Sequence, residues 1–218
     1  MDHSAETLRA ASNFAHSVEG AILLLAATIA TLQVLGVGGG GKRDLLWPGL
    51  ILCSAGFLGG YLILHHGWLL AGEVFHYLVR DPQQRQHLLI SLFALFAGIS
   101  ETGAVFVKRK RQRLSRLLSF GFPIAAVCIA AVFLSHQQHG TLLATVQAQR
   151  VHELLAVVFL AMAALRIISL QRPASLKYRL SWPIALASAG VLLLTYREPP
   201  GSYEPANSHL RSSRESRN

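Results

Sequence analysis

Six apolar runs, each about 17 to 25 residues long, constrain this chain more than any other feature. That is the length of helix needed to cross a hydrocarbon core of about 30 Å. They cover roughly residues 17–36, 47–66, 87–107, 117–135, 151–170 and 182–196. Only 14% of the residues are charged and 52% are hydrophobic, against about 25% charged in an ordinary soluble domain. The expected fold is therefore all-α: a polytopic membrane helix bundle of six transmembrane helices, forming one domain over residues 1–198. A polar tail, 199–218, has the composition of a disordered segment. The N-terminal stretch MDHSAETLRAASNFAHSVEG lacks the basic start of a cleaved signal peptide, so the first run is expected to stay as a membrane helix.

The net charge of +9 does not indicate nucleic acid, because the basic residues gather in short connections between apolar runs. Twelve of them (Lys42, Arg43, Lys108, Arg109, Lys110, Arg111, Arg113, Arg116, Arg166, Arg172, Lys177 and Arg179) lie near span ends on one side. Only Arg9, Arg80, Arg85, Arg150 and Arg197 lie near span ends on the other. Positive charge favours the cytoplasmic face. Both termini are therefore expected outside the cytoplasm, in a multi-pass protein of the cell (inner) membrane. Trp47 and Trp182 would be anchors at the cytoplasmic interface and Trp68 at the outer one. The two cysteines, Cys53 and Cys128, lie inside apolar runs without a CxxC partner and read as small hydrophobes.

The histidines share that sidedness. His16 lies at the outer end of span 1, His65 and His66 end span 2, and His87 begins span 3. His136 and His139 follow span 4, and His152 begins span 5. Span 6 brings Tyr196, Arg197 and Glu198 to the same level instead. Histidine suits a membrane interface, its polar edge in water. Imidazoles from separate helices at one depth also form a metal or haem site. His65, His66, His136 and His152 lead the ligand candidates, followed by His16, His87 and His139. His136 and His139 could share one ion if a helix ran through SHQQH. Nitrogen-rich ligation suits copper, zinc, iron or nickel. Copper or another transition metal is the expected cofactor, with haem b as the alternative.

Two carboxylates are candidates for a proton or ion path. Glu19, three residues after His16, shares its helix face. Glu101 lies inside span 3, where a carboxylate is costly, fourteen residues from His87 and on nearly the same face. No Ser/His/Asp set, phosphate loop or HExxH is present, since VHELL lacks the second histidine. The chemistry therefore leans away from an enzyme.

The motifs HSVEG, LHHGW and SHQQHG at helix ends resemble those of the copper-resistance integral membrane family, over about the first 160 residues. That resemblance implies copper handling at the outer face, with a metal-carrier or redox protein as partner beside the lipid bilayer. The six spans and helix-end histidines are also similar to the six-helix b-type cytochromes, including the cytochrome b561 type. Those carry two haems near opposite faces. Without a histidine on the cytoplasmic side, the likeness implies a single outer haem and an electron-transfer role. A third reading, a structural or assembly subunit of a membrane complex, makes the histidines merely interfacial.

Overall fold

The computed structural model describes residues 4–65 and 80–204. The regular elements among them are helices: α1 (Ala5–Val34), a short 3-10 helix (Gly41–Leu45), α2 (Leu46–His65), α3 (Pro82–Val107), α4 (Gln112–Leu118), α5 (Gly121–Leu134), α6 (Leu142–Gln171) and α7 (Leu176–Thr195). Six helical stretches are long and apolar enough to cross a membrane: 5–34, 41–63, 82–107, 112–134, 142–171 and 176–195.

Two of these helices begin well before their apolar runs. Ser4 caps α1 by accepting from the Thr7 amide, and Thr141 caps α6 by accepting from the Ala144 amide. An oxygen on Ser or Thr satisfies one of the amides that a helix N-terminus leaves unpaired. In consequence His16 and His152, expected at helix ends, stand inside helices with a fixed backbone around them. Asp81 caps α3 in the same way through the Gln84 amide, with Pro82 in its first turn.

Each spanning helix packs on the next in sequence, and α7 closes on α1. Six helices in a closed ring cannot all meet at the axis, so the interior depends on which side chains fill it. Alanines dominate the tight seams; Ala26, Ala130, Ala144, Ala148, Ala156 and Ala189 are fully buried. Small residues allow close helix approach where lipid supplies no hydrophobic drive. The tightest seam is α1 against α7. A Cβ on Gly20 would lie 2.5 Å from the Leu194 backbone nitrogen, and one on Gly190 would lie 2.9 Å from the Gly20 carbonyl oxygen. Large apolar side chains such as Ile99, Phe106, Ile124, Val157 and Ile184 point outward and are more than half exposed, as a lipid-facing surface requires.

At the end that carries the basic connections, the interior is filled by an ion pair wrapped in indoles. Arg166 Nη2 donates to Glu101 Oε1 at 2.6 Å. Its guanidinium lies over the rings of Trp182 and Trp47, 4.5 and 5.6 Å from their centroids, and Phe122 packs edge-on to both indoles. Trp47 and Trp182 are 7% and 2% exposed. They are thus core residues holding a cation, not the interface anchors expected from their sequence positions. Trp68 lies outside the described residues.

At the opposite end the chain beyond α7 folds back. The Thr141 amide donates to the Gly201 carbonyl and the Tyr203 amide to the His139 carbonyl. Residues 199–204, which composition assigns to the polar tail, are therefore packed, and Ser202 is 2% exposed. The rest of the tail expected to be disordered, 205–218, lies outside the described residues.

Candidate functional site

Four of the predicted histidines meet at this folded-over end. His16 from α1, His87 from α3, His136 from the turn after α5 and His152 from α6 form a chain of rings. Centroids are 6.4 Å apart for His16–His87, 5.4 Å for His87–His136 and 4.0 Å for His136–His152. Tyr196 closes the circle, 4.9 Å from His16 and 6.1 Å from His152. His136 and His152 are 7% and 3% exposed, so this is an internal layer and not an interfacial fringe.

The backbone sets the tautomers. His87 Nδ1–H donates to the Gln83 carbonyl at 2.8 Å, and His152 Nδ1–H donates to the Ala148 carbonyl at 2.8 Å. In both cases the acceptor is the carbonyl one helical turn earlier, and Nε2 is left with its lone pair. Metal-binding imidazoles are commonly oriented in this way. His136 Nε2 faces Gln138 Oε1 at 3.4 Å. His16 Nδ1 and His136 Nδ1 are buried without a hydrogen-bond partner, an uncommon state for buried nitrogen that calls for a ligand or water.

His136 lies beyond the end of α5. Burial, reinforced by His152 and His87 nearby and opposed by Gln138, holds its conjugate acid down to about 2. It is neutral throughout the physiological range, ready to donate its lone pair. Because the unfolded imidazole titrates near 6.5, the unfolded chain binds a proton there that the folded chain refuses. This contribution to stability is complete above pH 6.5 and is lost as pH falls toward 2. Thermal unfolding in detergent should show stability falling below pH 6.5, with His136 adding about 1.4 kcal/mol per pH unit. His136→Gln should flatten that slope; an unchanged slope would show that His136 is protonated in the fold.

A carboxylate organises the cover over this layer. Glu198 accepts from Ser12 Oγ at 2.7 Å, Gln138 Nε2 at 3.0 Å, Tyr196 OH at 3.0 Å and Ser202 Oγ at 3.2 Å, and its amide donates to Asn13 at 2.7 Å. It thereby ties α1, the α5–α6 turn and the chain after α7 together. Burial, then Glu198, pushes the Tyr203 hydroxyl up to about 12 and raises Tyr196 as well, so both phenols stay protonated: Tyr196 donates to Glu198, and Tyr203 accepts from Gln83 Nε2 at 3.0 Å. Of the three residues that span 6 was expected to deliver, Tyr196 and Glu198 turn inward. Arg197 turns out to the carbonyls of Leu194 and Tyr196.

The remaining candidates separate. The helix stops at Leu134 and Ser135 caps it, so SHQQH is not helical and His136 and His139 do not form one ligand pair. His139 is 57% exposed and meets Asp81 Oδ2 at 3.1 Å. The His65 side chain and all of His66, the leading candidates on sequence, lie outside the described residues. Glu101, expected to continue a polar stripe from His87, is spent on Arg166 at the far end. Glu19 does lie below the layer, 8% exposed, accepting from Ser54 Oγ through one oxygen while Oε1 has no partner.

A cavity of about 340 Å³ runs inward from the layer along the ring axis. His16, His87 and His152 line its outer part, Glu19 and Ser54 its middle, and Phe122 and Met162 its floor.

Fold and site together define a class: a polytopic six-helix membrane bundle with a buried histidine layer at one end and an apolar cavity beneath it. No family model matches the chain, and neither a curated protein nor a solved structure matches it.

Proposed function

We propose that the chain is an integral membrane metal-handling protein that binds copper between His16 and His87, with its site on the extracytoplasmic side. The observation that carries this reading is the spacing of those two rings. Imidazoles held on opposite sides of one metal at about 2.0–2.1 Å have centroids roughly 6.4 Å apart; His16 and His87 stand 6.4 Å apart. His16 Nδ1 has no partner, and the Gln83 carbonyl leaves His87 Nε2 as an acceptor. Among the described residues no three of His, Cys, Asp and Glu stand ready to hold an ion. His136 and His152 are stacked at 27°, and parallel rings 4 Å apart cannot aim at one ion. A pair of imidazole nitrogens suits copper(I), whereas zinc takes four ligands. A pivot of His136 away from His152 would supply a third nitrogen to copper(II).

The cavity bears on the alternative, a b-type haem. A flat macrocycle would find apolar walls there, but its propionates would find Glu19 and Asp81 and no lysine or arginine among the cavity's described lining residues. That charge pattern favours the bare ion. The excess of positive charge at the Glu101–Arg166 end supports placing the histidine layer, and with it both termini, on the extracytoplasmic side of the cell (inner) membrane. A metal-carrier or redox protein would then exchange with the layer from that face.

Metal analysis and an absorption spectrum of detergent-purified protein test this. The expected result is copper binding near one ion per chain without a Soret band, and an affinity loss of at least about 100-fold in the His16→Ala/His87→Ala variant. A stoichiometric Soret band, or copper binding unchanged in that variant, would overturn it.

A further inference from the structure

Below the histidines, the cavity contains a feature that the metal does not explain. Glu19 stands one turn inside His16, about 4.5 Å deeper along α1. It is nine-tenths buried, one oxygen is satisfied by Ser54, and the other has no partner. Around it the wall is apolar, formed by Leu23 of α1, Ile51 of α2 and Ile129 of α5. Buried acceptors are costly unless something donates to them. On the α1–α2 wall Ser12 is engaged with Glu198, Ser54 with Glu19 and Tyr61 with the Ala11 carbonyl, which leaves His16 Nδ1, assigned above to copper, and Glu19 Oε1.

We propose that this cavity binds a membrane quinol, its aromatic head between the apolar walls and one hydroxyl donating to Glu19 Oε1. The volume, about 340 Å³, lies at the small end of organic-ligand pockets and suits a single-ring head but not a phospholipid. The unpaired atom is an acceptor, so the ligand must bring a donor. Among the described residues the lining holds carboxylates and no lysine or arginine, which selects a neutral molecule over a fatty acid or another anion. A quinol meets all three conditions and partitions into the bilayer that surrounds the ring. Glu19 is then a specificity residue: it separates the quinol, which carries hydroxyls, from the quinone, which offers only acceptors.

The inference does not depend on copper, so its test uses copper-free protein. Calorimetric titration in detergent under argon compares a short-chain benzoquinol, its quinone and decanol. The quinol should bind at least about tenfold tighter than the quinone, the value of one well-made hydrogen bond to a carboxyl group. Glu19→Gln offers an amide donor in nearly the same volume, and should weaken the quinol and tighten the quinone. Glu19→Gln, which leaves both proposed copper ligands in place, should bind copper as the parent does, so failure at one site is separable from failure at the other. Equal affinities for quinol and quinone, decanol binding as tightly as quinol, or haem filling the cavity would overturn the proposal. Should Glu19→Gln not fold, the quinol-to-quinone ratio of the unaltered chain decides alone.

Discussion

Replacing Glu101 with leucine is expected to destabilise this protein more than any other single side-chain removal. The Arg166 side chain is 13% exposed and that of Glu101 4% exposed. Arg166 Nε already lacks a partner, so among the described residues the guanidinium is supported by the Glu101 carboxylate and the two indoles. Removing one member of a buried ion pair leaves an uncompensated charge and costs about 3–5 kcal/mol. Replacing both members with apolar residues of similar size is often close to neutral. Glu101→Leu should therefore unfold well below the parent in detergent, and Glu101→Leu/Arg166→Leu should recover most of the loss. A loss in the double variant equal to the sum of the Glu101→Leu and Arg166→Leu losses would mean that the pair is not coupled in the folded protein. The copper binding proposed for the far end of the bundle should survive in the double variant.

The second large effect is expected at Gly20. A Cβ there meets the Leu194 backbone nitrogen at 2.5 Å, the Gly190 carbonyl oxygen at 2.7 Å and the Leu194 Cα at 2.9 Å. Backbone atoms inside a helix cannot swing aside as the tip of a side chain can, so α1 and α7 must separate. Overpacking of this kind costs about 1–3 kcal/mol or more. Gly20→Val should lie at the upper end, because β-branching adds bulk at the point of contact. The same displacement moves His16, one turn away, off its edge-on contact with Tyr196 and changes its distance to His87. Gly20→Val should thus lower both the unfolding temperature and copper affinity, whereas Gly56→Val, where nothing lies within 4 Å of the added carbon, should leave both nearly unchanged. Equal behaviour of the two variants would refute the close seam.

The six spans were legible because lipid imposes one length and one polarity on any helix that crosses it. Their ends were not. Apolar runs report where lipid begins, but α1 and α6 begin where Ser4 and Thr141 supply caps, nine or more residues before the hydrophobic pattern. That difference converts His16 and His152 from fringe residues into helix-interior ones, with the preceding turn available to orient His152. The depth of the histidines was readable from sequence, but the outcome at SHQQH was not. Whether the helix runs on or stops at Leu134 decides that His136 turns in and His139 turns out toward Asp81. Glu101 was recognisable as a buried charge. Its partner was hidden because Arg166 reads equally well as one more basic residue near a span end. Glu198 and the packed residues after it were missed as a cover because proline, glycine and serine composition marks flexible chain, whereas here Glu198 gathers four hydrogen bonds onto one carboxylate.

The guanidinium clasped by two indoles has a consequence for traffic. It stoppers the bundle at the positively charged end, while the imidazoles and the fold-back segment face the other way. Among the described residues the cavity is thus shut off from that end. A ligand held beneath the imidazoles would therefore be kept from passing through to the far mouth, as in a berth with a closed inner wall.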